Sequence, residues 1–282
     1  SHGCHWPAVV TLKIPAEWRS GYYQVTLRSS DRGGKFTQRN RRTAEGGCYF
    51  VLRPAEPGKT SKILLQLATN TYNAYNNWGG FSLYAFNGRG GNQGHRVSFQ
   101  RPPGSQFSNW EQAFVEWAES HGYVLEYAAN SDLESHPEIL KAYKLVLSVG
   151  HDEYWSAGQR AAVERHVERG GHFTSYSGNT MFWQVRIESG SMIGHKYSAH
   201  ESDPVLTDGD PTTMSGMWAD PIVGRPETAI LGAGSAWGLY HRFGQATARG
   251  VGGFIVYRDD HWLFEDTGLR YGDVLGARDG VV

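Results

Sequence analysis

Residues 145–155, LVLSVGHDEYW, join an apolar run to an abrupt polar turn, and this stretch decides the fold class. The run at 145–149 has the length and composition of a strand that is buried on both faces of a sheet. Runs of the same kind occupy residues 62–69, 123–128 and 172–177. The runs at 123–128 and 172–177 are less apolar than the other two. Helical stretches separate the four runs. The alternation predicts an α/β domain with a doubly wound, mostly parallel sheet.

Two amphipathic stretches supply the predicted helices. Residues 109–122 follow an N-cap at Ser108 or Asn109 and end at a glycine. Residues 156–169 repeat this pattern and also end before glycines. In a doubly wound sheet, functional groups lie just beyond the carboxyl ends of the strands. We therefore expect the functional residues in the loops that follow the four strands.

Residues 1–57 have a different pattern of apolar residues. Its apolar residues alternate in short runs between residues 9 and 53, which is typical of a small antiparallel β unit. The polar stretch RPAEPGK at 53–59 reads as a linker. The sequence therefore predicts the end of a β-sandwich-like segment at 1–57 and an α/β catalytic domain at 58–282. The last residues, Val281-Val282, read as the start of a strand, so we expect this domain to be truncated at its C-terminus.

Composition narrows the class of partner. The chain carries 27 Lys and Arg against 28 Asp and Glu, so it has no basic surplus to neutralise phosphates, and nucleic acid is not an expected partner. The longest apolar runs are strand-sized and far below the roughly 20 residues of a membrane-spanning helix, so no membrane partner is expected either. Cys4 and Cys48 are too few for a disulfide framework, which favours a cytoplasmic location.

Chemically active side chains follow three of the predicted strands. Residues 70–80, NTYNAYNNWGG, are dense in amides and phenols. If the turn after the third strand is sharp, His151 and Glu153 project to the same side and offer an acid/base and a hard oxygen ligand. After the fourth strand, Asn179 can present an amide to a carbonyl or an anion. Lys196 is a lone cation among neutral residues, able to polarise a substrate or to pair with Glu153.

Each of these features also has a purely structural interpretation. Residues 70–80 would suit an amide-rich turn with aromatic packing. Asp152 could cap the next helix, with His151 beside it by chance. Asn179 could serve a left-handed turn, and Lys196 could be a solvated surface residue. The residues alone leave these alternatives open.

Several common mechanisms lack their motifs in this sequence. No Gly-x-Gly-x-x-Gly or Walker loop follows the first strand, which disfavours nucleotide binding. No strand-to-helix turn carries Gly-x-Ser-x-Gly, which argues against a serine hydrolase of the α/β-hydrolase type. Oxygen ligands, imidazole and amides remain at the strand ends. They suit a metal-activated water that attacks a carbonyl.

Taken together, residues 70–80, 150–155 and 177–180 resemble the C-terminal domain of the N,N-dimethylformamidase large-subunit family. Further motifs extend the likeness over nearly the whole chain: Ile14-Pro15, Ser20-Gly21-Tyr22-Tyr23, Asp203-Pro204, Trp218-Ala219-Asp220-Pro221, His261-Trp262 and Thr267-Gly268-Leu269. The resemblance implies a glutamine-amidotransferase-like α/β fold. It also implies a mononuclear Fe(III) ion, held by two tyrosines and one glutamate, and the hydrolysis of N-substituted formamides to formate and an amine.

The resemblance assigns roles to four polar residues. Glu153 is the carboxylate ligand of the metal. His151 would move protons and Asn179 would orient the amide, while Lys196 falls where a further polar residue of the active site is expected. This set describes an iron-dependent amidohydrolase.

The tyrosine ligands follow less directly from the resemblance. One should come from residues 71–76, where the spacing to Glu153 favours Tyr72 over Tyr75. The other should lie upstream, where Tyr23 fits best.

Two other readings of the site remain open. The chain could be a non-catalytic member of the family that binds a carbonyl compound or a sugar without a metal. A different metal, zinc or ferrous iron, could instead be held by His151, Glu153 and a histidine chosen from His95, His195 and His200.

The expected partners follow from the family as well. They are a small amide substrate, a small helical partner subunit and further copies of the chain in a homo-oligomer. Because the family's active site draws on residues beyond 282 and on neighbouring subunits, we expect weak or no formamidase activity from residues 1–282 alone.

Overall fold

The computed structural model describes residues 3–30, 43–234 and 254–275. The chain divides into two compact units, Ser1–Ala236 and Trp237–Val282. The domain boundary that the sequence predicts near residue 58 falls inside the first unit, and it stays a prediction.

The elements of the first unit alternate between strands and helices. Its strands are β1 (Gly21–Ser30), β2 (Thr43–Leu52), β3 (Ile63–Leu67), β4 (Arg96–Ser98), β5 (Glu126–Ala129), β6 (Leu145–His151), β7 (Tyr154–Ser156), β8 (His172–Gly178), β9 (Trp183–Glu188) and β10 (Ser191–Ile193). Its α-helices are α1 (Thr69–Tyr75), α2 (Glu111–Ser120), α3 (Asn130–Ser135), α4 (Ala157–Glu168), α5 (Ala199–Ser202) and α6 (Thr228–Leu231). Short 3-10 helices occupy Arg89–Gly91, Phe107–Asn109, Pro137–Ala142, Lys196–Ser198, Pro204–Leu206 and Pro211–Thr213.

The second unit is described over residues 254–275. There β11 (Phe254–Ile255) pairs antiparallel with β12 (Val274–Leu275), and a 3-10 helix covers Trp262–Phe264. Across the ranges that the structure describes, no helix has the length and apolar character needed to cross a bilayer.

Four strands form a parallel sheet in the order β5-β3-β6-β8, which confirms the predicted α/β class and all four predicted core strands. From the central strand β3 the chain passes to β5 on one side, and then crosses to β6 on the other side. The direction of connection therefore reverses between β3 and β6. In open α/β sheets such a reversal leaves a crevice outside the carboxyl ends of the two strands, where ligands bind.

The two faces of this sheet belong to separate cores. Leu64 and Val146 point into a core that also contains residues of α3 and α4, whereas Leu65 and Leu147 point into a core shared with α2. Successive side chains of a strand face opposite sides of the sheet, so covering both faces requires apolar residues at every position. This requirement explains the continuous apolar runs in the sequence.

The start of α2 corrects one local prediction. The expected caps Ser108 and Asn109 lie in a preceding 3-10 helix, and α2 begins at Glu111. Its N-cap is Trp110, which makes no side-chain capping bond. The cap assignment was wrong because the chain enters the helix through a tighter turn that uses both candidate residues. The other predicted helix is α4, and its N-cap Ser156 does accept a hydrogen bond from a backbone N–H of the first turn.

A hairpin precedes the sheet, as the alternating pattern predicts. Strands β1 and β2 pair antiparallel, and Tyr22 and Val51 pack against the core on the α2 side. The upstream run at residues 9–12 does not form a strand, and Val9 is 86% exposed. Apolar alternation alone does not make a strand, because a strand also needs a neighbour to complete its hydrogen-bond ladder.

A second four-stranded sheet, in the order β4-β10-β9-β7, adjoins the first. Its edge strand β7 begins at Tyr154, directly after the polar turn that ends β6, and pairs parallel with β9, where Tyr154 lies opposite Trp183. The polar turn is therefore held between two sheets.

The polar linker before β3 is fixed by a buried carboxylate. Glu126 is fully buried and accepts backbone N–H bonds from Gly58, Thr60 and Ser61 at 2.8, 2.9 and 3.1 Å. It also accepts hydroxyl bonds from Thr60 at 2.5 Å and Tyr143 at 2.6 Å. Burial alone would raise the pKa of Glu126, but these hydrogen bonds outweigh it and hold the pKa below its usual value.

Replacing Glu126 by Gln should lower the free energy of unfolding by roughly 1–3 kcal/mol near neutral pH, because an amide cannot accept all of these bonds. The folded-state pKa of Glu126 is depressed, so its contribution exists above the unfolded-state value of 4.5 and is lost as pH falls through the folded value. Urea unfolding at several pH values should therefore show a difference that shrinks in acid. The exposed control Glu168→Gln should change stability by less than about 0.5 kcal/mol. A Glu126→Gln deficit that is constant with pH would contradict this account.

Candidate functional site

The polar turn after β6 presents its side chains to the crevice between β3 and β6. Gly150 adopts φ +90°, and a Cβ built there would lie 2.4 Å from Cβ of Trp110, so only glycine fits. The next residues alternate in direction. Asp152 is buried against the sheet, whereas His151 and Glu153 share the opposite side, as the sequence predicts for a sharp turn.

Asp152 does not cap the helix that follows, which corrects that structural alternative. Its Oδ2 accepts a bond from the Ser148 hydroxyl at 2.7 Å and a short bond from the Gln66 amide. Burial raises the pKa of Asp152 to about 7, against the lowering effect of these bonds. The cap of α4 is Ser156. Asp152 thus anchors the turn to β3 and β6.

Glu153 is the centre of the site. It is 6% exposed, and its Oε2 lies 2.6 Å from the Tyr84 hydroxyl and 3.2 Å from the Tyr75 hydroxyl. Its Oε1 accepts a bond from Trp183 Nε1 at 2.9 Å, and its backbone N–H donates to Thr71 Oγ1 at 3.0 Å. Helix α1, β9 and the loop at residues 81–87 thus all converge on one carboxylate.

Two phenols and this carboxylate form a compact oxygen triangle. The Tyr75 and Tyr84 hydroxyl oxygens are 2.7 Å apart, and their distances to Glu153 Oε2 complete the triangle. Burial is the largest cause of a strongly raised pKa at Tyr84, followed by the neighbouring Tyr154 and Glu153. In the protein without a bound cation, Tyr84 therefore keeps its proton.

His151 lies at the rim of the triangle. Its Nε2 is 3.4 Å from Glu153 Oε2, and its ring contacts Tyr75 and Trp110 edge-on, with centroids 5.6 and 5.9 Å away. Burial lowers the pKa of His151, while the Glu153 charge opposes this shift. The imidazole is therefore predominantly neutral near pH 7 and can accept a proton.

Lys196 is buried in the site and is not a solvated surface residue. It is 6% exposed, and its Nζ lies 3.3 Å from the centroid of the Tyr84 ring and 3.1 Å from the Leu83 carbonyl oxygen. It holds this position with φ +60°, a backbone conformation that non-glycine residues seldom adopt. Burial lowers the pKa of Lys196 to about 8, partly offset by Glu153.

Asn179 follows β8 beside the same strand ends, where Gly178 pairs in register with His151. It is partly buried and has φ +55°, so it does occupy the left-handed turn that the sequence left open. A left-handed turn does not exclude a role for the amide, because the turn directly follows a strand that borders the site.

The structure brings Tyr75 to Glu153 but directs the other two candidate tyrosines elsewhere. The Tyr72 hydroxyl makes a short bond to Glu111 Oε1, and burial followed by the Glu111 charge strongly raises the pKa of Tyr72. The Tyr23 hydroxyl donates to the Arg19 carbonyl at 2.7 Å. The assignment of Tyr72 and Tyr23 as ligands stays a prediction that no contact to Glu153 supports.

Tyr84 and Trp183 are the contacts of Glu153 that sequence reasoning missed. Trp183 is the first residue of β9, four residues after Asn179, and an aromatic residue at a strand start carries no signal of a polar contact. Tyr84 lies in a loop without periodicity and outside every strand end. No local pattern marks such a residue.

The candidate histidines for an alternative metal site are engaged elsewhere. The rings of His95 and His195 lie 4.5 Å apart, and His195 Nδ1 is 2.8 Å from Ser202 Oγ. His200 Nε2 is 2.6 Å from Asp220 Oδ2. Within residues 3–30, 43–234 and 254–275, no three His, Cys, Asp or Glu side chains are grouped closely enough to hold a metal.

In the metal-free protein, Lys196 should titrate near pH 8, well below its ordinary value of 10.5. Glu153→Gln should lower this pKa further, because it removes the carboxylate that favours the ammonium form. NMR of protein labelled at the lysine side chains would measure both values, with Lys196→Met to assign the signal. A Lys196 signal that titrates at the ordinary value would refute the buried position.

Comparison with known proteins identifies the family. Residues 1–281 match the family described as N,N-dimethylformamidase beta subunit-like, C-terminal. The chain is 22% identical to the N,N-dimethylformamidase beta subunit of Alcaligenes sp and 21% identical to that of Paracoccus aminophilus, each over 65% of this chain and 28% of the relative. It thus spans little more than a quarter of the length of these relatives. The resemblance inferred from the sequence is confirmed: the chain belongs to the family of N,N-dimethylformamidase beta subunit-like C-terminal domains.

Proposed function

We propose that this chain carries the metal centre of an amidohydrolase that cleaves N-substituted formamides to formate and an amine. The observation that carries the proposal is the oxygen triangle of Tyr75, Tyr84 and Glu153 at the topological switch point of the sheet. The curated relatives are named as subunits of N,N-dimethylformamidase. Their activity is the basis for the substrate class.

The donor set fits a hard trivalent ion. Two phenols and one carboxylate supply only oxygen, and as anions they would offset the charge of Fe(III). The three oxygens lie 2.6, 2.7 and 3.2 Å apart, so Tyr75, Tyr84 and Glu153 would together hold an ion placed among them. We therefore propose Tyr75 and Tyr84 as the two tyrosine ligands, in place of Tyr72 and Tyr23.

Oxygen donors also argue for iron over the alternatives. A zinc or ferrous site of two histidines and one carboxylate would need a histidine besides His151 near Glu153, and His95, His195 and His200 lie in other contacts. When bound, the ferric ion would act as a Lewis acid toward the amide carbonyl and activate water.

Three further side chains around the triangle have roles in the proposed reaction. His151 is neutral, lies beside Glu153, and accepts the proton of the attacking water before it passes that proton to the leaving amine. Lys196 holds a positive charge over the face of Tyr84, which favours the phenolate form of that ligand. Asn179, at the end of the neighbouring strand, orients the amide.

The proposal also includes the fold of the chain and the segments with which it would act. The parallel sheet with its site beyond β3 and β6 would be the core of a glutamine-amidotransferase-like fold. Because the chain spans only 28% of its relatives, hydrolysis would also draw on other segments or on a partner subunit.

One observation favours a second candidate, a member that binds carbonyl compounds or sugars without catalysis. Every oxygen of Glu153 already has a protein donor, so phenolic protons can close the triangle without an ion. The two candidates differ in metal content, which elemental analysis decides.

Replacing Glu153 by Gln should abolish tight metal binding, because it removes the only carboxylate of the triangle. Tyr75→Phe and Tyr84→Phe should each weaken binding and remove or shift the visible absorption that a ferric phenolate gives. Elemental analysis and a visible spectrum of each purified protein would measure both effects. Tyr72→Phe is the matched control and should keep the metal and the spectrum. Loss of the spectrum in Tyr72→Phe alone would return the ligand role to Tyr72.

His151→Ala should retain most of the metal but lower kcat by roughly 10²–10⁴, the usual effect of losing a general acid/base. For the wild type, kcat/KM should fall in acid, at a pH below the ordinary histidine pKa of 6.5, because burial lowers the pKa of His151 and protonation removes the base. His151→Ala should lose this acid limb. Formate release by the chain with its natural partners would be the measured reaction. Wild-type activity in His151→Ala would remove the residue from the mechanism.

A further inference from the structure

A separate pocket lies on the other side of helix α1. It has a volume of about 520 Å³, and α1 contributes Thr69, Asn70 and Asn73 to its lining. Residues of an α-helix are spaced about 100° apart, so Asn73 and Tyr75 point roughly 160° away from each other. One face of α1 thus serves the oxygen triangle, whereas the opposite face lines the pocket.

The lining of the pocket includes the Arg101 guanidinium, which has no carboxylate partner among the described residues. All five N–H groups of Arg101 are directed at neutral oxygens, namely Asn73 O and Oδ1 and the carbonyls of Trp78 and Phe81, at 2.8 to 3.3 Å. Among the described residues no Asp or Glu forms an ion pair with it. Burial lowers the pKa of Arg101, as expected for a charge that lacks a counter-ion.

Asn73 adds an unused donor at the same place. It is 8% exposed, its Oδ1 accepts from Arg101, and its Nδ2 has no hydrogen-bond partner in the described structure. The Arg101 bonds fix which end of the amide is oxygen, so the orphan group is the N–H donor. A buried donor without a partner is costly, and a ligand oxygen would satisfy it.

Two acidic residues also line the pocket, and both are held by other groups. Asp132 pairs with Arg53 at 3.2 Å. Glu134 accepts bonds from the Ser156 hydroxyl and from Gln159 N, at the positive N-terminus of α4. Among the described residues of the lining, Arg101 is the one cation, and neither carboxylate bonds to it.

Beside the polar residues of α1 and α3, the lining includes apolar side chains that favour a ligand with an apolar body. These side chains are Tyr49, Val51, Phe99, Pro103 and Ile187. A phosphate carries more charge, whereas the orphan Asn73 donor and the single diffuse charge of Arg101 suit a monoanion. We propose that this pocket binds a small organic carboxylate with an apolar body, the carboxylate lying at Asn73 and Arg101. This site is independent of the proposed metal centre.

Benzoate and its uncharged isostere benzamide test the proposal directly. Calorimetric titration of the whole chain should show saturable benzoate binding at one site, at least about tenfold tighter than benzamide binding, because only benzoate carries the charge that Arg101 lacks. Asn73→Asp keeps the acceptor for Arg101, removes the donor and supplies the missing negative charge, so it should weaken benzoate binding by at least about tenfold while the fold is retained.

Two further variants keep the test falsifiable. Ile187→Glu, at a partly exposed wall position, adds a repelling charge without touching α1 and should also weaken benzoate binding. Tyr75→Phe, on the opposite face of α1, should leave it unchanged even if that variant loses its metal. The proposal is overturned if benzoate does not bind saturably, if benzamide binds as tightly, if Asn73→Asp and Ile187→Glu bind benzoate like the wild type, or if Tyr75→Phe abolishes binding.

Discussion

The buried carboxylate of Asp152 is the constraint on which the site depends. Its bonds to Gln66 and Ser148 tie the turn to two parallel strands, and its own backbone carbonyl accepts from Met181 N and Trp155 Nε1. Because an extended chain alternates its side chains, fixing Asp152 toward the sheet fixes both of its neighbours toward the crevice. This arrangement costs stability, since Asp152 Oδ1 has no hydrogen-bond partner among the described residues and burial raises the pKa to about 7. The destabilising burial thus occurs at the residue that positions His151 and Glu153.

Sequence reasoning recovered those parts of the molecule that local patterns determine. The strands of the parallel sheet are buried on both faces, so their continuous apolar runs are recognisable in the sequence. The abrupt change at the end of β6 from apolar residues to an imidazole and carboxylates indicates the site. The shared direction of His151 and Glu153 followed from the period of a strand. Family resemblance supplied the metal hypothesis, which the residues alone left among several.

The ligand set could not be resolved from sequence because it depends on a short helix and on a loop. Tyr72 and Tyr75 are three residues apart on α1, a rotation of about 60° between their directions. That rotation sends one hydroxyl to Glu111 and the other to Glu153. Tyr84 reaches the site from a loop whose course is set by contacts across the fold, such as the Arg101 bond to the Phe81 carbonyl. Spacing along the chain carries no information on either point.

Electrostatic balance connects the two faces of α1. On one side, two phenol hydroxyls surround the Glu153 carboxylate beneath the Lys196 ammonium, so one negative and one positive charge share a site that is rich in oxygen. On the other side, Arg101 is surrounded by neutral acceptors and lacks negative charge. A helix of seven residues separates the two sites. Charges buried in the interior are screened far less than charges in water, so their neighbours must hold them precisely. The same short helix holds both sets of contacts, with Tyr75 on the Glu153 face and Asn73 on the Arg101 face.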